Sequence, residues 1–141
     1  MEYSLLYIVQ QLYWIAFTQA LTSLIMIPFV SLPIGILFFF GIKQILKQAP
    51  VFPVRFITYI FVAFLFPLII SLLGVLFHDT SNSIMGWVID GLLFLLLLIS
   101  GLFIYKEKDR RIFMFALGLF FTAWSFFAGF IAGMSILNDW L

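Results

Sequence analysis

The sequence predicts an all-α integral membrane protein, in which an N-terminal amphipathic or kinked helix precedes four transmembrane helices packed as an antiparallel bundle. Three observations predict it. Of the 141 residues, 65% are hydrophobic and only 9% charged, which is more apolar surface than a soluble domain of this length can keep from water. The apolar residues fall into runs long enough to cross a hydrocarbon core, which takes ~20 helical residues. Every Lys and Arg lies in two of the connections between those runs, the pattern of short loops retained on the cytoplasmic side. Read as a single membrane domain over residues 1–141, the chain divides into an interfacial or extended helix at 1–19 and spans at about 20–42, 56–77, 84–105 and 112–137.

The N-terminal stretch has no basic region ahead of a short apolar core and no small-residue cleavage site, so it is expected to be retained. Ser4, Tyr7, Gln11, Trp14 and Thr18 recur at three- and four-residue steps, with Leu5, Val9, Leu12 and Ala16 largely opposite. That spacing gives a helix with one polar and one apolar face. Apolar character then persists to Ile42, too long for one perpendicular helix at ~1.5 Å per residue. Either the first part lies in the interface, or one long helix bends at Pro28 and Pro33, where each proline removes a backbone donor.

Lys43, Lys47 and Arg55 bracket the first connection, and KEKDRR, Lys106 to Arg111, forms the third. With both connections inside, both termini and the HDTSNS loop from His78 to Ser83 face outward. Trp14, Trp87 and Trp140 then fall near the outer interface, where indoles favour headgroup depth. Trp124 sits mid-span and is expected to pack against another helix or lipid. Pro67 interrupts the second span, where a bend is expected with the freed carbonyl near Ala63 satisfied by a neighbour.

The third span carries one carboxylate, Asp90, about two turns or ~9 Å below its outer end. An ionisable group at that depth is costly, and by default it marks a functional site. In an antiparallel bundle Thr22, Ser23, Ser71 and Ser135 reach the same depth, so a polar cluster open to the outside is the expectation. Asp90 then either sets helix register as a neutral hydrogen-bonding group or works in transport. The fourth span carries a ridge of small residues, Gly118, Thr122, Ser125, Gly129 and Gly133, that permits close helix approach. The ridge packs inside the bundle or against another chain.

Much chemistry is excluded. The chain has no cysteine, which removes disulfides, thiolate catalysis and Cys-ligated metals. No nucleophile–His–acid spacing, Gly-rich phosphate loop or carboxylate pair within a span is present, so no catalytic residue, metal or cofactor is expected and the protein is read as a non-enzyme. His78 is the only histidine and is expected to be a solvated loop residue. It, or a glutamine such as Gln10, Gln11 or Gln19, could serve a pigment bound through one axial ligand, and the 20 phenylalanines leave room for a lipid, quinone or pigment groove. No basic stretch calls for nucleic acid. The expected partners are the bilayer and other membrane chains, a hetero-complex ahead of a homo-oligomer, in a bacterial inner membrane or organellar equivalent. Two functions remain: a small subunit or assembly factor of a larger membrane complex, or an oligomeric channel or carrier using Asp90 for protons or cations.

Overall fold

The fold is that of a computed structural model, which describes residues 4–48, 53–78, 80 and 83–137. Helix α1 (Leu5–Tyr13) opens with Ser4, whose hydroxyl accepts from the Tyr7 amide at 3.3 Å, satisfying one of the donors a helix start leaves unpaired. The chain continues without a break through a π-helical stretch (Trp14–Leu21) into α2 (Thr22–Met26). Four long apolar helices follow: α3 (Pro28–Gln48), α4 (Val54–Leu76), α5 (Ser83–Lys106) and α6 (Arg111–Leu137). Each is long and apolar enough to cross a membrane. A short 3₁₀ turn, Lys108–Arg110, joins α5 to α6. No strand occurs among the described residues.

The first spanning helix begins at Pro28 and not near residue 20. The reason is local. Proline crowds the residue before it out of helical geometry, and Ile27 is extended at φ −92°, ψ 103°. Pro28 itself suits a first helical position because its missing donor would be unpaired there. The Ile27 carbonyl then takes the amides of Val30 and Ser31, both at 3.0 Å, which starts the new helix. Pro33 and Pro67, by contrast, lie inside continuous helices. Near Pro67 the Ser71 hydroxyl donates to the Pro67 carbonyl at 2.7 Å.

Helix α6 is the axis of the bundle. It packs against α3, α4, α5 and the π-helical stretch, whereas α3 does not pack on α4 or α5. Consecutive spans run antiparallel, so α6 is parallel to α4: Phe113 stacks on Phe56 at one end, and Ala132 meets Gly74 toward the other. Two glycines set how closely the axis is approached. A Cβ at Gly74 would lie 2.6 Å from that of Ala132, and one at Gly41 would lie 2.6 Å from the Phe113 Cα. Neither stands in a run of small residues, so no sequence pattern marks either.

The expected ridge on α6 divides. Gly118 faces Ser100 and Tyr59, and Gly129 lies under Ile89, where a Cβ would approach to 3.0 Å. Ser125 is fully buried. The Ser125 and Thr122 hydroxyls have no hydrogen-bond partner among the described residues, so these two contribute small volume. Gly133 departs from the expectation: nothing lies within 4 Å of its added Cβ. It opens onto a groove at the protein surface.

One end of the bundle is charged. All seven Lys and Arg sit in the last turns of α3, the first turn of α4, the last turn of α5, the 3₁₀ turn or the start of α6. KEKDRR is more than a solvated topology signal. Glu107 is 2% exposed and lies against the Arg55 guanidinium from α4, while Arg110 donates to its other oxygen at 3.1 Å. A buried carboxylate keeps its charge only with such pairing. Gln44 of α3 completes this end by accepting from the Ile112 amide at 3.2 Å, one of the donors left at the α6 N-terminus.

Candidate functional site

The opposite end is built differently: its described residues offer neutral polar groups and a single carboxylate. Helix α1 packs on α4, and the π-helical stretch crosses onto α6. Tyr7, Gln11, Trp14 and Gln19 line a cavity of about 100 Å³ together with His78 and Ser135, while Leu5 and Val9 are exposed and Ala16, on the same apolar face, is fully buried.

His78 is therefore not a freely solvated loop residue. It is half-buried, with Nδ1 3.0 Å from both the carbonyl and the hydroxyl of Ser135. A carbonyl only accepts, so Nδ1 carries the hydrogen. The Ser135 hydroxyl in turn donates to the Gly74 carbonyl at 3.1 Å. This chain ties the end of α4 to α6. Trp124, expected to pack mid-span, does so through an aromatic cluster with Phe17, Phe64, Phe120 and Phe121. Its indole donates to the Ala16 carbonyl in the π-helical stretch, satisfying a donor that is costly to bury unpaired. The eight-residue π-helix is itself unusual, since such geometry is normally a single-turn bulge. Nothing in the local sequence signals it.

Asp90 does not join the residues expected to cluster with it. Ser71 is buried and bonded to the Pro67 carbonyl, and Ser135 is committed to His78 and Gly74. Thr22 and Ser23 line a separate groove of about 640 Å³ between the N-terminal helices and α6, facing Phe127, Phe130, Ile131 and Met134. Depth along each helix brings these residues level. Rotation about the helix axes separates them.

Instead Asp90 is exposed in the half of α5 away from the basic end, where Ile89 beside it is buried. With Gly86 and Leu93 it forms one wall of a groove of about 460 Å³, whose other wall is α6 from Phe126 to Leu137. Gly129 and Gly133 lie along that second wall. A Cβ at Gly86 or Gly133 would meet nothing within 4 Å. Asp90 is the one polar side chain lining the groove, and no hydrogen bond or ion pair to it occurs among the described residues.

Among the described residues no three His, Cys, Asp or Glu side chains come together as metal ligands would. Trp140 lies outside the described residues, as does Asp79. Trp14 and Trp87 are exposed, at 51% and 77%. Comparison with protein-family models, curated proteins and solved structures finds no match to this chain.

Proposed function

We propose that this small all-helical membrane protein is a non-enzymatic subunit or assembly factor that binds larger membrane chains through the outer faces of α5 and α6. The observation that carries this reading is the glycine-flanked groove with Asp90 in its wall. An ionisable side chain is costly against lipid tails and is normally turned toward protein or water, yet here it lies on the outer surface of the bundle. Glycine lowers helix stability by about 1 kcal/mol relative to alanine. Gly86, Gly91 and Gly101 of α5 nonetheless meet no atom of this chain within 4 Å of an added Cβ. Such positions suit the backbone of a further helix. A carrier reading would favour Asp90 inside a polar pathway, and the hydroxyls expected to build one point elsewhere.

Mass measurement of the tagged chain, extracted from its native membrane in mild detergent, tests the proposal. The expected result is one or more different membrane chains held at fixed stoichiometry. A monomer or a homo-oligomer would overturn it. We further propose that the end bearing all Lys and Arg is cytoplasmic, by the bias of short basic loops. Of cysteines placed at Thr80 and Lys108, both exposed, an impermeant thiol reagent on intact cells should label Thr80→Cys alone. Labelling of Lys108→Cys alone would reverse the orientation.

A further inference from the structure

We infer that the helix seated between the outer halves of α5 and α6 comes from a different chain and presents a Lys or Arg side chain to Asp90. This rests on the subunit reading and adds the chemistry of the contact. Asp90 is the only polar residue lining the groove, the rest being glycine or apolar, so any polar recognition there passes through its carboxylate. An ionised carboxylate only accepts hydrogen bonds. Its partner must donate, and a cation leaves the pair neutral in a medium where an isolated charge is costly.

Among the described residues no Lys or Arg of this chain reaches Asp90. The chain's own hydroxyls at similar depth are bonded elsewhere or face another groove. Its nearest basic residue along α5 is Lys106, which the helical rise puts ~24 Å away. A second copy in the same membrane orientation would bring its own Asp90 to that depth and its cations to the far end, setting like charges together. Asp90 also lies ~10 Å below the start of α5 by the same rise, beneath the headgroup layer in which a lipid amine resides. The groove fits a long basic side chain: Leu93, Phe126 and Phe130 give apolar cover to its methylene stem. Gly86 and Gly133 leave space for its backbone.

Designed leucine–alanine transmembrane peptides supply the probe, each carrying one Lys, Glu, Ser or Leu within a turn of its centre so that either orientation brings the side chain within reach. Association with the full chain is read by energy transfer in phosphatidylcholine vesicles. The Lys peptide should bind roughly tenfold tighter than the Leu peptide, the ratio that ~1.4 kcal/mol of interhelical polar contact gives. In Asp90→Asn, with unchanged circular dichroism, that preference should vanish. In Asp90→Lys it should pass to the Glu peptide, which a merely structural role for Asp90 would not produce. Equal binding of the Lys and Leu peptides would overturn the inference. So would equal binding of Lys and Ser peptides, or Asp90-dependent association of the chain with itself. A native complex that survives Asp90→Asn while the peptides show no preference would remove the cation and leave the subunit reading standing. A lone monomer or homo-oligomer in the detergent experiment would remove the subunit reading.

Discussion

Helices α5 and α6 are consecutive spans of similar length, yet they occupy opposite situations. In its most apolar window α5 has mean hydropathy 2.4 and is 17% buried, whereas α6 has 1.8 and is 50% buried. The more apolar helix is the more exposed one. Lipid tails are as apolar as leucine, so hydropathy decides whether a helix enters the membrane and not whether another helix covers it. What covers α6 is closeness: Ala116, Gly118, Ser125, Ala128, Gly129 and Ala132 are buried along it. Helix α5 offers leucines and phenylalanines to the surface and holds to the bundle at a few points. These are Ile89, Leu96 and Ser100 within the helix, and Glu107 just beyond its end.

If α5 is held by few anchors, cutting one should cost more than its place at the edge suggests, and Glu107 gives the largest expected effect. It bridges Arg55 of α4 and Arg110 before α6. Removing one member of a buried ion pair typically costs about 3–5 kcal/mol; here Arg110 stays buried without its partner, whereas Arg55, 58% exposed, is solvated, so the loss falls toward or below the lower end of that range. Glu107→Ala should therefore lower the thermal unfolding midpoint in detergent well below that of Asp109→Ala, whose carboxylate is exposed. Equal midpoints would mean that the Tyr59–Ser100 hydrogen bond, 2.9 Å and buried, suffices to hold α5.

The second test addresses α6. Gly74→Leu forces side-chain atoms into the place where even a Cβ would lie 2.6 Å from Ala132. Overpacking a tight contact costs about 1–3 kcal/mol and more when backbone must move. The expected outcome is a lower unfolding midpoint or aggregation on size-exclusion chromatography, relieved in part by Ala132→Gly on the facing helix. Wild-type stability in Gly74→Leu would show that α4 and α6 separate freely and that closeness is not what buries α6.

These contrasts mark what could be read in the residues alone. Helices α4, α5 and α6 start and end within two residues of the expected bounds, because hydropathy and the basic turns report membrane entry and exit directly. The position of Asp90 along α5 was equally legible from helical rise. Its direction was not, since rotation about a helix axis is set by packing that spans share, and the apolar residues of α5 surround the helix without a polar face to orient it. Gly74 and Gly41 escaped notice for a related reason. A single glycine makes a close crossing only if its partner helix puts a small residue or backbone opposite, and Ala132 lies 58 positions away in sequence. The Glu107 pairing was hidden the same way, since KEKDRR looks alike whether its carboxylate faces water or Arg55. At the N-terminus the apolar run concealed the break at Ile27, which the rule for residues preceding proline does explain.

Gly133 carries the smallest effect on the isolated chain and the sharpest division between the two faces of α6. It belongs to the same run of small residues as Gly129, one turn along, but its Cβ direction is open where that of Gly129 meets Ile89. Gly133→Leu should leave the unfolding midpoint unchanged or raise it slightly, since leucine favours helix over glycine by about 1 kcal/mol or less. Gly129→Leu should lower it, because Ile89 is buried against that position. The difference in effect on assembly runs the other way. A leucine at 133 fills the groove that α5 and α6 share, so Gly133→Leu should reduce co-purification of the partner chain while the protein itself stays folded. If Gly133→Leu destabilises the isolated chain as much as Gly129→Leu does, the groove is closed within the bundle, and the outer face of α6 is interior like the rest of the helix.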